Sequence, residues 1–354
     1  MNRKTRIITS GFAIVTAAAG VVTLAGDVNP PPGPVAPTMK TLTEVEPRIA
    51  INSDNTPGDA DSVFRITLSG SYYLTDNVTG QSGRHGIQIE AEGVTLDLNG
   101  FTLLGIAGSL DGINMPGFRE NVVIRNGHVR GWGESGIESR IDVGRIERIT
   151  AVDNGAWGID NNPSGTFTTH IVSCEVKSNG SLVASTGGIR GGQSSVITDC
   201  VVFSNTGSGI TAGNGCLVTG CTARSNSVDG ISVTNLSTVT GCTAISNTGD
   251  GIKLGGDCRV AGNQCCANGA AGIHATSVDN RIEGNLCTDS LRGIDVDGTG
   301  NIIIRNTCSG NNTNWDVVAG NVCLVVQGVT GAAISGNTGG VAPGSTDPNA
   351  NFTY

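Results

Sequence analysis

The sequence repeats with a fixed period of 21 residues. The dipeptide Gly-Ile recurs at that step, and it begins at Gly188, Gly209, Gly230, Gly251, Gly272 and Gly293. Asn314-Trp315 continues the step with other residues, and the dipeptide also occurs upstream, at looser spacing, at Gly86, Gly112, Gly136 and Gly158. A fixed period of this length is typical of solenoids, in which each repeat contacts only its neighbours.

Each repeat contains short strands rather than helices. In the repeat that starts at Gly230, apolar residues alternate with polar ones at Ile231 and Val233 and again at Cys242 and Ala244. Alternation with a period of two predicts strands with one buried face, and the Gly and Asn residues between them are typical of turns. We therefore expect about three short strands in each repeat, which bury a core only when repeats stack.

Composition excludes the main alternatives to a β-solenoid. Of 354 residues, 54 are Gly, while 14% are charged and 4% are aromatic. Such a chain is too poor in helix formers for an α-helical fold, and too apolar, with too little net charge, for disorder. The Gly residues follow no three-residue period, which excludes collagen. The sequence predicts an all-β, turn-rich protein.

This pattern resembles the right-handed parallel β-helix of the pectin-lyase-like superfamily, as found in exported bacterial β-helix repeat proteins. The resemblance covers residues 86–340 and implies about 11 coils. It implies no single activity, because this fold hosts lyases, hydrolases, epimerases and adhesins. The paired Asp and Gly-His-Gly set of polygalacturonases and the Asp-Pro-His-Asp signature of mannuronan epimerases are missing, so no catalytic residue is carried over.

The resemblance also implies a column of stacked side chains at the turn between the second and third sheets. Asn is common there in this family, and the matching residues are Asn99, Asn126, Asn263, Asn285, Asn306 and Asn337. In the middle coils this position is occupied by Ile149, Cys174, Cys200, Cys221 and Cys242. In the later coils, a Cys comes two residues after the Asn of the column, at Cys265, Cys287 and Cys308. Stacked side chains run parallel, which disfavours disulfides, so we expect buried free thiols. Bridges that involve Cys216, Cys258, Cys266 or Cys323 remain open.

The ends of the chain predict export. Residues 1–26 have the pattern of a secretory signal peptide, with basic residues before an apolar segment and a cleavage site near Ala25. The alternative is an uncleaved membrane anchor. Residues 27–37 form a Pro-rich linker, residues 38–85 an N-terminal cap and residues 341–354 a polar tail. We expect a secreted or cell-envelope protein that has no membrane span after cleavage.

The net charge of the chain limits the classes of molecule that it is expected to bind. The formal net charge is −9, and removal of the basic signal segment makes it more negative. The sequence shows no basic stripe, which argues against nucleic acid as a partner. A polysaccharide or another cell-surface component remains as the expected partner, and the oligomeric state is left open.

One group of candidate site residues lies on the outer face of the Gly-Ile strands, where the resemblance implies a substrate groove. The residue after each Ile points outward. Glu138, Asp160 and Arg190 take this position on consecutive coils, with Arg140 close by. Neighbouring carboxylates suit an acid–base pair or a calcium ion, and calcium is the one candidate cofactor, although none is required. Trp132 and Trp157 flank this stretch and are candidates for stacking on sugars.

A second group on the same face consists of Lys253, His274, Asp295 and Asp316. His274 between Lys253 and Asp295 suggests a general base. The alternative for both groups is a solvated ladder of polar residues, which the outer face of a solenoid requires in any case.

These observations favour a non-catalytic polysaccharide-binding, surface-binding or structural protein. The alternative is a polysaccharide lyase, hydrolase or epimerase that acts on acidic glycans through the outer face of the first sheet, at the stretch that contains Glu138, Asp160 and Arg190.

Overall fold

A computed structural model describes residues 46–166, 168–182, 186–327 and 347–354. The predicted signal peptide (1–26), the linker (27–37) and Asn337 lie outside the described residues. The chain divides into two units, Met1–Pro47 and Arg48–Tyr354, and the second contains every strand given below. Among the described residues, no helix is long and apolar enough to cross a membrane.

The Gly-Ile dipeptides lie in one parallel sheet of 12 strands, here called the first sheet. Ile137 pairs with Ile113 on one side and Ile159 on the other, and Trp315 continues the column beyond Ile294. The predicted register is therefore confirmed. The strands are Ser62–Ile66, His85–Ile89, Ile113–Asn114, Ile137–Ser139, Ile159–Thr166, Ile189–Gln193, Ile210–Ala212, Ile231–Val233, Ile252–Leu254, Ala271–Ala275, Arg292–Val296 and Thr313–Val317.

The first sheet has one strand more than the 11 coils expected. The extra strand is Ser62–Ile66, which pairs in parallel with His85–Ile89. The first coil thus lies inside residues 38–85, where the Gly-Ile signature is absent because Phe64 takes the position of the Ile.

A sheet of 24 strands forms the rest of each coil. It contains two columns, the second and third sheets, which the long strands Val123–Arg130 and Gly144–Val152 join. The second sheet also contains Ile49–Ala50, Gly70–Tyr73, Val94–Asp97, Thr169–Val172, Val196–Thr198, Leu217–Thr219, Thr238–Thr240, Arg259–Ala261, Arg281–Glu283, Ile302–Ile304 and Val322–Cys323. The third sheet also contains Val78–Thr79, Thr102–Leu104, Glu175–Lys177, Val201–Phe203, Thr222–Arg224, Thr243–Ile245, Gln264–Cys266, Leu286–Thr288, Thr307–Ser309, Val325–Gln327 and Asn351–Thr353. Arg119–Glu120 and Ile141–Asp142 form a separate parallel pair.

The core is one continuous stack of apolar side chains inside the coils. Ile231, Val239 and Ala244 represent the three sheets in one coil, and all three are fully buried. Burial of a side chain such as Ile231 contributes about 2 kcal/mol, and the next coils repeat the contribution. The coils therefore stabilise one another through this shared core.

A buried ladder of asparagines runs beside the first sheet, and the sequence analysis missed it. The backbone N–H and side-chain Nδ2 of Asn205 both donate to Oδ1 of Asn226, at 3.2 and 3.0 Å, and Asn226 donates in the same way to Asn247. The ladder comprises Asn154, Asn179, Asn205, Asn226, Asn247 and Asn268. Four of these residues recur at the 21-residue period, each four positions before a Gly-Ile, so the signal was present.

This ladder explains the glycine of the Gly-Ile dipeptide. A Cβ atom at Gly230 would lie 2.6 Å from Nδ2 of Asn247, and one at Gly251 would lie 2.7 Å from Nδ2 of Asn268. No side chain fits at these positions while the ladder amides keep their places. Glycine therefore recurs before the Ile because the hydrogen-bonded Asn ladder leaves no room for a side chain at that position.

The predicted turn column is confirmed in the middle and late coils and is wrong at two early positions. Cys242 N–H donates to Asn263 Oδ1, and Asn263 and Asn285 continue the ladder to Asn306. Asn99 and Asn126 instead lie outside this ladder, with φ angles of 52° and 59°. These angles are in the left-handed region, which Asn tolerates at a turn.

Residues 351–353 correct the expectation of a polar tail. Asn351–Thr353 is a strand that pairs with Thr307–Ser309 and with Val325–Gln327. Asn351 is buried and accepts hydrogen bonds from Asn306, so it continues the turn ladder of the preceding coils. Asn351 thus provides a hydrogen-bond acceptor for Asn306, whose amide would otherwise lack this partner at the end of the ladder.

All 11 cysteines lie in the described residues, and none is in a disulfide. Nine are buried, while Cys266 and Cys323 are half-buried. We expect a thiol reagent to titrate 11 thiols in denaturant and about two in the native protein, because a buried thiol is inaccessible to the reagent. A denatured count well below 11 in a sample prepared without oxidant would contradict free thiols.

Candidate functional site

Six polar side chains form a row on the outer face of the first sheet. We call it the polar row, and it consists of Arg65, Gln88, Asn114, Glu138, Asp160 and Arg190. Each residue pairs in register with the next, so neighbouring members are about 5 Å apart along the coils. The predicted adjacency of Glu138, Asp160 and Arg190 is therefore confirmed.

Asp160 and Arg190 form an ion pair that uses both carboxylate oxygens. Arg190 Nε donates to Asp160 Oδ1 at 2.7 Å, and Arg190 Nη2 donates to Oδ2. Burial raises the pKa of Asp160, although the Arg190 guanidinium opposes this effect. Bidentate pairs of this kind fix both groups in one geometry.

The two tryptophans do not offer exposed stacking faces, which corrects that prediction. Trp157 is buried, and the Arg190 guanidinium lies over its ring at 5.2 Å from the centroid. Trp132 is fully buried, and its Nε1–H donates to Leu103 O at 3.1 Å. Its ring occupies space that a Cβ atom at Gly86 would need, because that atom would lie 2.7 Å away. Trp157 positions Arg190, and Trp132 belongs to the core.

Glu138 is a half-buried carboxyl with no hydrogen bond or ion pair among the described residues. Burial, and then the charges of Asp111 and Asp160, raises the pKa of Glu138 to about 7. Arg140 opposes this shift through its charge alone. Near pH 7 the Glu138 carboxyl is therefore present in both protonation states, and its protonated form both donates and accepts hydrogen bonds.

Gln88 is the second member of the polar row with an unused polar group. Its side chain is 9% exposed, and Oε1 has no hydrogen-bond partner. Ile87 and Ile89 on either side point into the core, so Gln88 points to the outer face. A buried acceptor without a donor costs about 1–3 kcal/mol, which makes it a signal of function.

Two further residues beside the row, His85 and Asp111, were not among the predicted site residues. Asp111 is buried, and its Oδ2 accepts from Asn114 Nδ2 at 3.0 Å and lies 3.2 Å from His85 Nδ1. Both residues stand directly before a Gly-Ile dipeptide, at Gly86 and Gly112. That fixed position was the signal that could have identified them.

The second predicted group is a charge network centred on a protonated histidine. His274 Nδ1 lies 2.8 Å from Asp250 Oδ2, and Nε2 lies 3.1 Å from Asp297 Oδ2 and 3.9 Å from Asp295 Oδ2. The bond to Asp250, and then the one to Asp297, raises the pKa of His274 to about 9. The network therefore favours the cationic imidazole at neutral pH, which opposes the predicted role of a general base.

Lys253 and Asp316 complete this second group at its two ends. Lys253 pairs in register with His274, and Asp295 pairs with Asp316. Asp316 Oδ2 accepts from Arg292 Nε at 2.8 Å. In this group His274 and Arg292 contact carboxylates of neighbouring coils, while Lys253 forms no ion pair among the described residues.

Among the described residues, the cluster suited to a metal ion is His274, Asp295 and Asp297. A metal there would have to displace the proton of His274, which three carboxylates stabilise. Glu138 and Asp160, the predicted calcium ligands, are not part of such a cluster, and Arg190 engages both oxygens of Asp160. The residues present therefore fit calcium poorly at the polar row.

The raised pKa of Glu138 predicts a pH-dependent stability. The protonated side chain stabilises the fold fully below about pH 4.5, and this contribution is lost as the pH rises through about 7. Glu138→Gln has a neutral side chain at every pH. At about pH 8 we therefore expect it to be more stable than wild type by about 1 kcal/mol, after allowance for solvent screening, and to unfold at a temperature a few degrees higher. Thermal unfolding at about pH 5 and pH 8 measures this. Exposed Glu92→Gln is the control, and an identical profile for Glu138→Gln would contradict the prediction.

Comparison with known proteins agrees with this architecture. A family model described as "Right handed beta helix region" matches residues 111–265, which include Glu138, Asp160 and Arg190. The A-module of the Azotobacter vinelandii mannuronan C-5 epimerase AlgE4 superposes with a TM-score of 0.50 at 16% identity, over 72% of this chain and 90% of that one. The chain therefore has the fold of a right-handed parallel β-helix.

Another solved β-helix is similar to the same degree. The A-module of Azotobacter vinelandii mannuronan C-5 epimerase AlgE6 has a TM-score of 0.50 at 16% identity, over 78% of this chain and 87% of that one. A search of curated proteins finds no significant match to the sequence. At this identity the similarity establishes the fold, and function has to be argued from the polar row.

Proposed function

We propose that this β-helix is a non-catalytic polysaccharide-binding protein and that the polar row of the first sheet binds the polysaccharide. The observation that carries the proposal is the buried, unpartnered Oε1 of Gln88 on the outer face. Because Oε1 is buried, a ligand reaches it only when the Gln88 side chain turns outward, and a hydrogen bond donated there would remove the cost of the unsatisfied acceptor.

The chemistry of the row fits sugar hydroxyls. A hydroxyl both donates and accepts, as the protonated form of Glu138 does, and Gln88 Oε1 requires a donor. Gln88 and Glu138 lie two coils apart, about 10 Å, so one extended ligand along the sheet contacts both. Asp111, Glu138 and Asp160 make the surroundings acidic, which favours a neutral glycan at this site. Both similar solved structures belong to mannuronan epimerases, proteins named for a polysaccharide, and this supports the ligand class.

Binding is favoured over catalysis because the row lacks a free acid–base pair. Asp160 is engaged by Arg190 through both oxygens, and the protonated His274 lies elsewhere on the sheet. Glu138 is then the member of the row that can exchange a proton near neutral pH. Lyases, hydrolases and epimerases require positioned groups both to take and to deliver protons.

The same proposal includes export and independence from calcium. The signal-like residues 1–26 support a location outside the cytoplasm, where polysaccharides are accessible. The engaged oxygens of Asp160 support binding without calcium.

The test uses the purified protein against a panel of neutral and acidic polysaccharides, with and without calcium. Gln88→Leu removes the unpartnered acceptor at similar volume, so we expect at least about tenfold weaker binding with unchanged or higher stability. Ser232→Ala, on the outer face of the same sheet but outside the row, is the matched control and should bind as wild type does.

Each other outcome would count against the proposal. Full binding of neutral polysaccharides by Gln88→Leu would remove the polar row as the site. New reducing ends or unsaturated uronide absorbance that Glu138→Gln abolishes would make the protein an enzyme. Failure to bind any polysaccharide in the panel would overturn the ligand class.

A further inference from the structure

The outer face of the third sheet carries a second row, which alternates cationic and apolar side chains. Arg130 pairs with Val152, Val152 with Lys177, Lys177 with Phe203 and Phe203 with Arg224. We call Arg130, Lys177 and Arg224 the cationic row. Their neighbours Val129, Val176 and Ala223 are fully buried, so the three cations point outward. They recur at every second coil, about 10 Å apart.

Phe203 holds two of these cations in place. The Arg224 guanidinium lies 4.2 Å from the centroid of its ring, and Lys177 Nζ lies 5.6 Å from it. Within the described part of the chain, neither Lys177 nor Arg224 forms an ion pair with a carboxylate. Their positive charges are thus positioned by an aromatic ring and are not neutralised.

A cavity of about 430 Å³ opens at the Arg130 end of the cationic row. Its size is within the range of pockets that hold small ligands. Asp153 lies in the lining, 3.9 Å from Arg130, and Glu175 precedes Lys177 by two residues on the same strand. The cavity is lined by Thr102, His128, Arg130, Thr150, Val152, Asp153 and Lys177.

We propose that the third sheet binds an anionic polysaccharide whose carboxylate groups contact Arg130, Lys177 and Arg224. The threonines and Val152 between the cations provide a surface for the uncharged parts of sugar rings. Ordered cations lower the entropic cost of binding, because Phe203 already restricts two of them. This site is separate from the polar row, and either can fail without the other.

The spacing of the charges favours a polyuronate over nucleic acid. A nucleic-acid strand carries one phosphate about every 3.4 Å, whereas the cationic row offers one charge about every 10 Å. The protein as a whole carries a formal charge of −9, which repels a dense polyanion. A polyuronate, with one carboxylate on each sugar, matches the sparse row better.

The experiment compares polygalacturonate with its fully methyl-esterified form, which has the same backbone without charge. We expect the full-length protein to bind polygalacturonate at low salt and to lose binding at high salt, since exposed charges are screened. The double variant Lys177→Gln/Arg224→Gln should bind about tenfold more weakly. Lys253→Gln removes one half-buried cation from the first sheet and is the control that should bind normally.

Four results would overturn the proposal. They are no binding of polygalacturonate at low salt, equal binding of the methyl ester, undiminished binding by the double variant, and equally tight binding of single-stranded DNA. Gln88→Leu distinguishes this site from the polar row, because it should leave polygalacturonate binding at the third sheet unchanged. Melting temperatures of all variants show whether each one is folded.

Discussion

Asn226→Ala is expected to lower the free energy of unfolding by about 3 kcal/mol. Asn226 is 1% exposed, and its Nδ2 donates to Val202 O and to Asn247 Oδ1. Its Oδ1 accepts two hydrogen bonds from Asn205. Truncation therefore removes the acceptor of the buried Asn205 N–H and one hydrogen bond each from Val202 O and Asn247 Oδ1, and it leaves a cavity. Urea unfolding followed by circular dichroism measures the loss.

Asn214→Ala is the matched control for this prediction. Asn214 is exposed, and its Oδ1 accepts one hydrogen bond from Asn235 N–H at 3.2 Å. Loss of one exposed hydrogen bond should change the free energy of unfolding by less than about 1 kcal/mol. Equal effects for the two variants would show that the buried ladder gives no special stabilisation.

His274→Gln is expected to lower the free energy of unfolding by about 2 kcal/mol at about pH 6, after allowance for partial exposure. The reason is that the protonated ring separates the carboxylates of Asp250, Asp295 and Asp297. Since the pKa is raised from 6.5 to about 9, the stabilisation is complete below about pH 6.5 and is lost as the pH rises through about 9. The wild-type protein should therefore lose stability over this range, and the variant should not.

Urea unfolding of both proteins at about pH 6 and about pH 10 provides the measurement. The gap between them should close at the higher pH. A gap that stays constant with pH would mean that His274 acts through packing alone. Asp297→Asn is a useful control, because Asp297 is exposed and its removal should have a small effect.

The architecture could be read from the sequence because the repeat is short and regular. The 21-residue step fixes which residues stack, so Glu138, Asp160 and Arg190 could be placed on consecutive coils before any coordinates. The ladder from Asn205 to Asn268 has the same period and could have been found in the same way.

Burial and protonation in the candidate site could not be read in this way, because they depend on residues outside the repeat unit. Trp132 is buried because the glycines Gly86 and Gly112 of earlier coils leave room for its ring. His274 is protonated because Asp250 and Asp297 reach it from turns of neighbouring coils. The spacing of residues along one strand does not predict these contacts. It therefore led to the predictions that Trp132 is exposed and that His274 is a neutral base.

The regular coils between Asn205 and Asn268 have a consequence for how such a chain changes in evolution. Each of these coils presents the same ladder amide and the same glycine to the coil on either side. A recombination event that duplicates or removes one 21-residue unit therefore leaves every remaining junction with a compatible neighbour. The length of the protein, and with it the distance between the polar row and the His274 network, can then vary in steps of one coil while both sites stay intact.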